Sequence, residues 1–186
     1  MYNALIYFVG NNINSYLYAF VIFSLAIVFS VDYRFQLIPD EAHVIILLVG
    51  IINLMFNLDI WYTYILGAII GGAIFWGLGL LALIIFKKEG MGFGDVKLMA
   101  ALGFFFGIKP ILVIALVSFV IGAVLGVTLI LSGRQKADSY IPFGPFIVIA
   151  AITLMFVQAD DIIYLYISFC TWLGRSFTDI IYYFIK

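Results

Sequence analysis

Polar breaks divide this chain into a series of apolar runs, and that succession constrains the fold more than any other feature. The runs are Ser15–Val31, Ala42–Leu58, Ile60–Phe86, Val96–Gly107, Ile111–Leu131, Pro142–Val157 and Ile162–Ile185. A helix crosses the hydrocarbon core of a bilayer with about 20 apolar residues, in a usable range of roughly 17 to 25. Most runs reach that range, with tilt or flanking residues making up small deficits. Val96–Gly107 is short and reads as a helix that begins below the membrane surface, against protein rather than lipid. The last run contains Arg175 and Asp179, which weakens its claim to be a span. The pattern predicts an all-α fold: a polytopic membrane helix bundle of six to seven transmembrane helices, forming one membrane-embedded domain over residues 1–186.

Composition narrows the chemistry. Charged residues make up 10% of the chain and hydrophobic ones 66%, against roughly 25% charged in soluble domains. A net charge of −1 excludes a basic nucleic-acid footprint. Cys170 is the only cysteine, so there is no intrachain disulfide and no CxxC pair for zinc. It sits among apolar residues and is expected to be a packed small hydrophobe. His43 is the only histidine, which removes nitrogen-rich metal sites and a Ser-His-Asp triad placed elsewhere. A cluster of Asp32, Asp40, Glu41 and His43 has no recognised metal-ligand spacing, so neither metal nor cofactor is expected. Carboxylates remain. The N-terminus shows no basic region ahead of its first apolar stretch and no small-residue cleavage site after it, so a removable signal peptide is not expected. Ala4–Val9 is too short to span and is expected at the interface.

Basic residues set the orientation. With seven crossings, Arg34, Lys87, Lys88, Lys97, Arg134, Lys136 and Lys186 fall on one side and Lys109 alone on the other. The positive-inside rule makes the first side cytoplasmic. The opposite loops, around Asp59 and Gln158-Ala159-Asp160-Asp161, carry acid but no base. Asp32 and Asp95 then share the cytoplasmic side and one membrane depth. Gly67/Gly71 and Gly122/Gly126 form GxxxG pairs, which let helix backbones approach closely. Packing within the chain is the favoured reading, with a homo-oligomer face as the alternative.

An acidic residue at a membrane helix end is a functional candidate by default. Asp32 ends the first long run. Asp95 follows Glu89-Gly90-Met91-Gly92-Phe93-Gly94, where alternate glycines permit positive φ and the close approach of an extended peptide. The competing structural role for Asp95 is to cap the next helix. Asp40, in Ile38-Pro39-Asp40-Glu41, reads as the N-cap of the second helix, with Glu41 favourable in its first turn. Lys97 either anchors its helix at the headgroups or holds down the pKa of a nearby carboxylate. Two carboxylates brought close share a proton, one acting as base toward water and the other as acid toward a carbonyl.

Three stretches carry a family likeness: Asp32 to Asp40, Gly90-Met91-Gly92-Phe93-Gly94-Asp95-Val96-Lys97-Leu98, and Ile141-Pro142-Phe143-Gly144-Pro145-Phe146. In order and spacing the chain resembles the type IV prepilin peptidases, of the GxGD class of membrane aspartyl proteases. The resemblance implies catalytic aspartates at Asp32 and Asp95. It implies a substrate of prepilin, pseudopilin or archaellin type, with a short basic leader before a hydrophobic helix, cut after glycine at the cytoplasmic face of the cell membrane. Gly92, Gly94 and Lys97 are expected to support the site, and Pro142 and Gly144 to border it. Full-length bacterial members add an N-terminal extension with a cytoplasmic loop, often with paired CxxC motifs, and also N-methylate the new terminus. Neither loop nor cysteines occur here, so peptidase activity alone is expected. The compact form looks like the short homologues of Tad-type pili or archaeal flagellin and pilin systems. The alternative from another class is a proton-coupled transporter or channel using the same carboxylates as relays, which predicts inverted repeats and polar residues at the midplane. A third reading, an inactive scaffold, sits poorly with two intact aspartates.

Overall fold

The computed structural model describes residues 13–87, 92–132 and 142–185. Among them the helices are α1 (Ile13–Phe35), α2 (Asp40–Met55), α3 (Trp61–Phe86), α4 (Phe93–Phe106), α5 (Ile108–Leu131), α6 (Gly144–Phe156) and α7 (Ala159–Ile185), with a 3-10 turn at Leu58–Ile60. They follow the apolar runs in order, so the all-α polytopic bundle is the architecture the chain adopts. Three stretches are long and apolar enough to cross a membrane: Ile13–Phe35, Leu58–Ile84 and Ile108–Leu129. A fourth crossing arises if α6 and α7, bent by 111°, count as one broken span. The helices α2 and α4, with 16 and 14 residues, are not among these spans. They pack against α1 and α3 and against each other, so protein rather than lipid covers much of their length.

Helical periodicity decides which side chains point inward. On α1 the buried positions are Leu17, Val21, Ser24, Leu25, Val28 and Asp32, a stripe at three- and four-residue spacing. Asp32 is its last member. On α4 the stripe runs Asp95, Leu98, Met99, Leu102 and Phe105, and here the aspartate is the first member. Large apolar side chains such as Phe20, Phe23, Leu48, Ile69 and Val124 are exposed, as the lipid-facing surface of a membrane bundle requires.

The closest helix contact lies between α3 and α4. A Cβ on Gly67 or on Gly103 would fall onto the other helix's backbone, and one on Gly71 would lie 2.6 Å from the Met99 carbonyl oxygen. The Gly67/Gly71 pair therefore packs within the chain. Gly122 does likewise, with room only for the Phe143 and Phe146 rings of the α6 entry, 2.9 and 3.1 Å from its missing Cβ. Gly107 separates α4 from α5 at φ +85°, left-handed backbone that a β-carbon disfavours, and its N–H closes α4 on the Gly103 carbonyl at 2.9 Å.

Two expectations need correction. The N-cap of α2 is Pro39, not Asp40, which begins the helix itself. Cys170 is exposed on α7 rather than packed, because α7 leaves the bundle after the bend and touches it mainly along α5. Residues 1–12 and 133–141, with Ala4–Val9, Arg134 and Lys136, and residues 88–91, with Lys88 and Gly90, lie outside the described residues, as does Lys186.

Candidate active site

Element order brings the end of α1 and the starts of α2, α4 and α6 to one end of the bundle. A cavity of about 510 Å³ opens there, lined by Asp32, Ile38, Asp40, Gly92, Gly94 and Asp95 among others. Asp32 and Asp95 are each 3% exposed, although both carry a charge in their ordinary state. The chain brings them together from positions 32 and 95 because each ends a buried stripe at the same end of antiparallel helices.

Local turns hold this geometry. Gln36 adopts φ 53° and its N–H bonds the Asp32 carbonyl at 2.9 Å, which closes α1 one turn beyond Asp32. Leu37-Ile38-Pro39 then carries the chain across the cavity to α2. Proline at the N-cap offers α2 no side-chain acceptor. Across the site, α4 begins with Gly92 as N-cap, so Asp95 is the third residue inside the helix. The Asp95 N–H bonds the Gly92 carbonyl at 3.1 Å, and its carboxylate accepts from the Gly92 N–H, which is the N3 half of a capping box. Asp95 thus steadies its own helix end from inside the first turn and not as the N-cap.

The capping role uses only part of the carboxyl group. Among the described residues, Asp95 Oδ1, Asp32 Oδ2 and the nearby His43 Nδ1 are buried side-chain atoms without a hydrogen-bond partner. Buried polar atoms are normally paired, so the two unpartnered carboxylate oxygens on one cavity single it out as the candidate site. Burial first, and the Asp32 charge second, push Asp95 up to about 7, against the opposing Gly92 N–H. The charge on Asp32 thus works against a second charge on Asp95.

The third stretch of sequence closes the site. The Gly144 N–H approaches the Asp32 carboxylate. A Cβ on Gly144 would overlap Asp32 Oδ2 and lie 3.3 Å from Ile38 Cδ1. Glycine is required there by close approach. Pro142 and Phe143 lead into α6, and the Phe143 ring packs on Phe75, Phe119 and Phe146 at 5.7, 5.2 and 5.6 Å between centroids. That aromatic cluster fixes where the α6 N-terminus meets Asp32.

The supporting residues divide. Gly92 and Gly94 line the cavity, but neither uses positive φ; Gly92 sits at φ −72°, and the space beside Gly94 is filled by Ile38, whose Cβ lies 3.1 Å from the missing Cβ. Lys97 also lines the cavity, yet its ammonium pairs with Asp40 at 2.8 Å and not with a catalytic candidate. It holds Asp40 below the usual carboxylate range. Ile38, packed against both Gly94 and Gly144, lies in a stretch that carries the family likeness, but its apolar character gave no signal of a place at the site. His43 was set aside as a lone histidine, although it faces Gly94. Among the described residues, no group of three or more His, Cys, Asp or Glu is arranged to hold a metal.

Fold and site define a polytopic helical membrane protein with a buried pair of carboxylates at one end of the bundle. The profile of the type IV leader peptidase family matches residues 19–127, which hold both aspartates, and the chain belongs to that family. It is 39% identical over 141 residues to a protein of Xanthomonas campestris pv. campestris named prepilin leader peptidase/N-methyltransferase, covering 75% of this chain and 48% of the relative. Proteins of the same name from Bacillus subtilis and Pseudomonas aeruginosa are 36% and 34% identical, covering 81% and 75% of this chain and 59% and 48% of theirs. The chain therefore spans about half the length of these curated relatives. No solved structure matches it.

Proposed function

We propose that this chain is a membrane aspartyl endopeptidase that removes the leader of type IV prepilin-like proteins, cutting after glycine. The observation that carries this reading is the pair of buried aspartates, each with an unpartnered oxygen, on one cavity at the end of the bundle. The relatives' names supply the substrate class. The ionised carboxylate takes a proton from water as it adds to the scissile carbonyl, and the protonated one donates to the carbonyl oxygen. The resulting gem-diol collapses as the newly protonated carboxyl donates to the leaving amine and a gem-diol hydroxyl gives its proton to the other carboxylate, which leaves the dyad with one shared proton. Gly144 leaves room for the Asp32 carboxylate and Gly94 for the Ile38 side chain, the Gly92 N–H donates to the Asp95 carboxylate, and Pro142 directs the chain into α6.

The cytoplasmic orientation rests on the basic residues. Arg34, Lys87 and Lys97 end α1, end α3 and begin α4 at the site end, while Lys109 pairs with Asp160 at the other. By the positive-inside rule the cavity faces the cytoplasm of the cell membrane, where a leader would be presented. The transporter alternative finds no support, since the carboxylates stand at helix ends and not at mid-bundle.

Leader cleavage in membranes tests the reading. The protein would be co-expressed with prepilins bearing Gly-Phe, Gly-Met or Gly-Leu junctions, and the gel shift and mass of the new terminus measured for wild type, Asp32→Asn and Asp95→Asn. Cleavage by wild type alone is the expected result. Full processing by either variant would refute the dyad. The terminal mass also reports whether N-methylation accompanies the cut.

A further inference from the structure

His43 is 5% exposed and occupies the inward stripe of α2 with Ala42, Ile46 and Val49. Its Nε2 lies 3.2 Å from the carbonyl oxygen of Gly94, the residue bonded to Asp95. A carbonyl oxygen only accepts, so Nε2 carries the proton and donates. Burial lowers the imidazole pKa, which favours the neutral ring with Nδ1 bare. That Nδ1 lies 3.5 Å from Asp40 Oδ1 without a hydrogen bond, while Lys97 Nζ pairs with the same oxygen at 2.8 Å. Helix α2 therefore meets α4 twice, through the His43 hydrogen bond at Gly94 and through the Asp40 ion pair at Lys97. Asp95 lies between the two points of attachment.

We propose that His43 is a positioning residue for Asp95. Its Nε2–H, held on the Gly94 carbonyl, fixes the first turn of α4 and so the angle at which the Asp95 carboxyl enters the cavity. The first turn of a helix is its least constrained part, because its N–H groups lack intrahelical acceptors, and Gly92 and Gly94 add backbone freedom. A brace from a separate helix removes that freedom. The Asp40–Lys97 pair is exposed on both sides, at 72% and 43%, and such pairs contribute little alone. The buried imidazole–carbonyl bond is the constraining member. A displacement of about 1 Å in a catalytic group costs on the order of 10²-fold in rate, so modest loosening of this turn reads out in turnover.

This inference rests on Asp95 being catalytic, and the experiment separates the two. Cleavage kinetics of the full chain in membrane vesicles would compare wild type with His43→Gln, His43→Asn, His43→Leu and Asp95→Asn, each normalised to folded protein. Glutamine places an N–H donor at the reach of Nε2; asparagine is equally polar but too short; leucine has no donor. The expected result is a kcat about tenfold lower in His43→Asn and His43→Leu, with KM within about twofold and most of kcat recovered in His43→Gln. Wild-type kcat in His43→Asn, or equal loss in His43→Gln and His43→Asn, overturns the proposal; that pair decides it even where His43→Leu fails to accumulate. Activity in Asp95→Asn would instead strike the parent reading, whereas a dead Asp95→Asn beside unaffected His43 variants would strike this inference alone.

Discussion

The two ends of the bundle treat their polar groups in opposite ways. At the end where α1 begins, a cavity of about 240 Å³ is lined by Asn14, Asn53, Asn57 and Tyr64 among others. Asn53, Asn57 and Tyr64 are paired there. Asn53 donates to the Phe105 carbonyl at 3.1 Å, Asn57 donates to the Asn53 carbonyl at 2.9 Å, and Tyr64 shares a hydrogen bond with Asn53. At the other end the cavity is larger, its key groups are acids, and each aspartate keeps a buried oxygen without a partner. Pairing rigidifies a helix junction, whereas an unpartnered carboxylate oxygen carries an unfavourable desolvation. On the proposed function, the contrast separates the end that holds the bundle together from the end that meets the substrate.

The strongest way to break this contrast is to remove an acid. Asp32→Asn or Asp95→Asn is expected to lower leader cleavage by on the order of 10³-fold while the protein still accumulates in membranes; substantial turnover would show that the orphan oxygens are incidental. Next comes Gly144→Ala, whose new Cβ must displace the Asp32 carboxylate. We expect about 10²-fold lower kcat, measured against a thermal-aggregation midpoint in detergent close to wild type. Gly94→Val should lose less, because only the Ile38 side chain has to give way, and kcat should fall more than the midpoint does.

The acid–base character sharpens the contrast further. Asp95 releases its proton as pH rises through about 7, so a mechanism that needs one shared proton predicts a kcat that falls above that value. A profile flat across about two units either side would exclude Asp95 as a member of a proton-sharing pair. The opposite end gives the smallest catalytic effect. Asn53→Ala leaves the Phe105 carbonyl without this donor and should cost about 1–3 kcal/mol of stability, seen as a lower aggregation midpoint with kcat per folded molecule unchanged. Lowered kcat there would mean the two ends are coupled.

Much of this was legible in the order of residues. The apolar runs mapped onto the helices one by one, because a backbone in hydrocarbon must satisfy its own hydrogen bonds and so turns helical wherever the run is apolar. Asp32 and Asp95 stood out because a charge at the end of such a run is costly without a purpose. The capping assignments were off by the few residues that separate Pro39 from Asp40 and Gly92 from Asp95, since a motif names residue types and not the turn at which the backbone first becomes helical. The glycines before Asp95 suggested left-handed backbone, whereas among the described residues that conformation falls at Gln36, Lys87 and Gly107.

Sequence by itself determined the helices, their order and the two acids, since periodicity and local hydrogen bonding depend on neighbours along the chain. The tertiary structure alone decided that Gly144 must be small because it meets Asp32, that Lys97 serves Asp40, that Ile38 fills the space beside two glycines, and that His43 reaches Gly94. Those contacts join residues about 50 to 110 positions apart. They exist only once helices have packed, when side chains from separate elements compete for the same few ångströms.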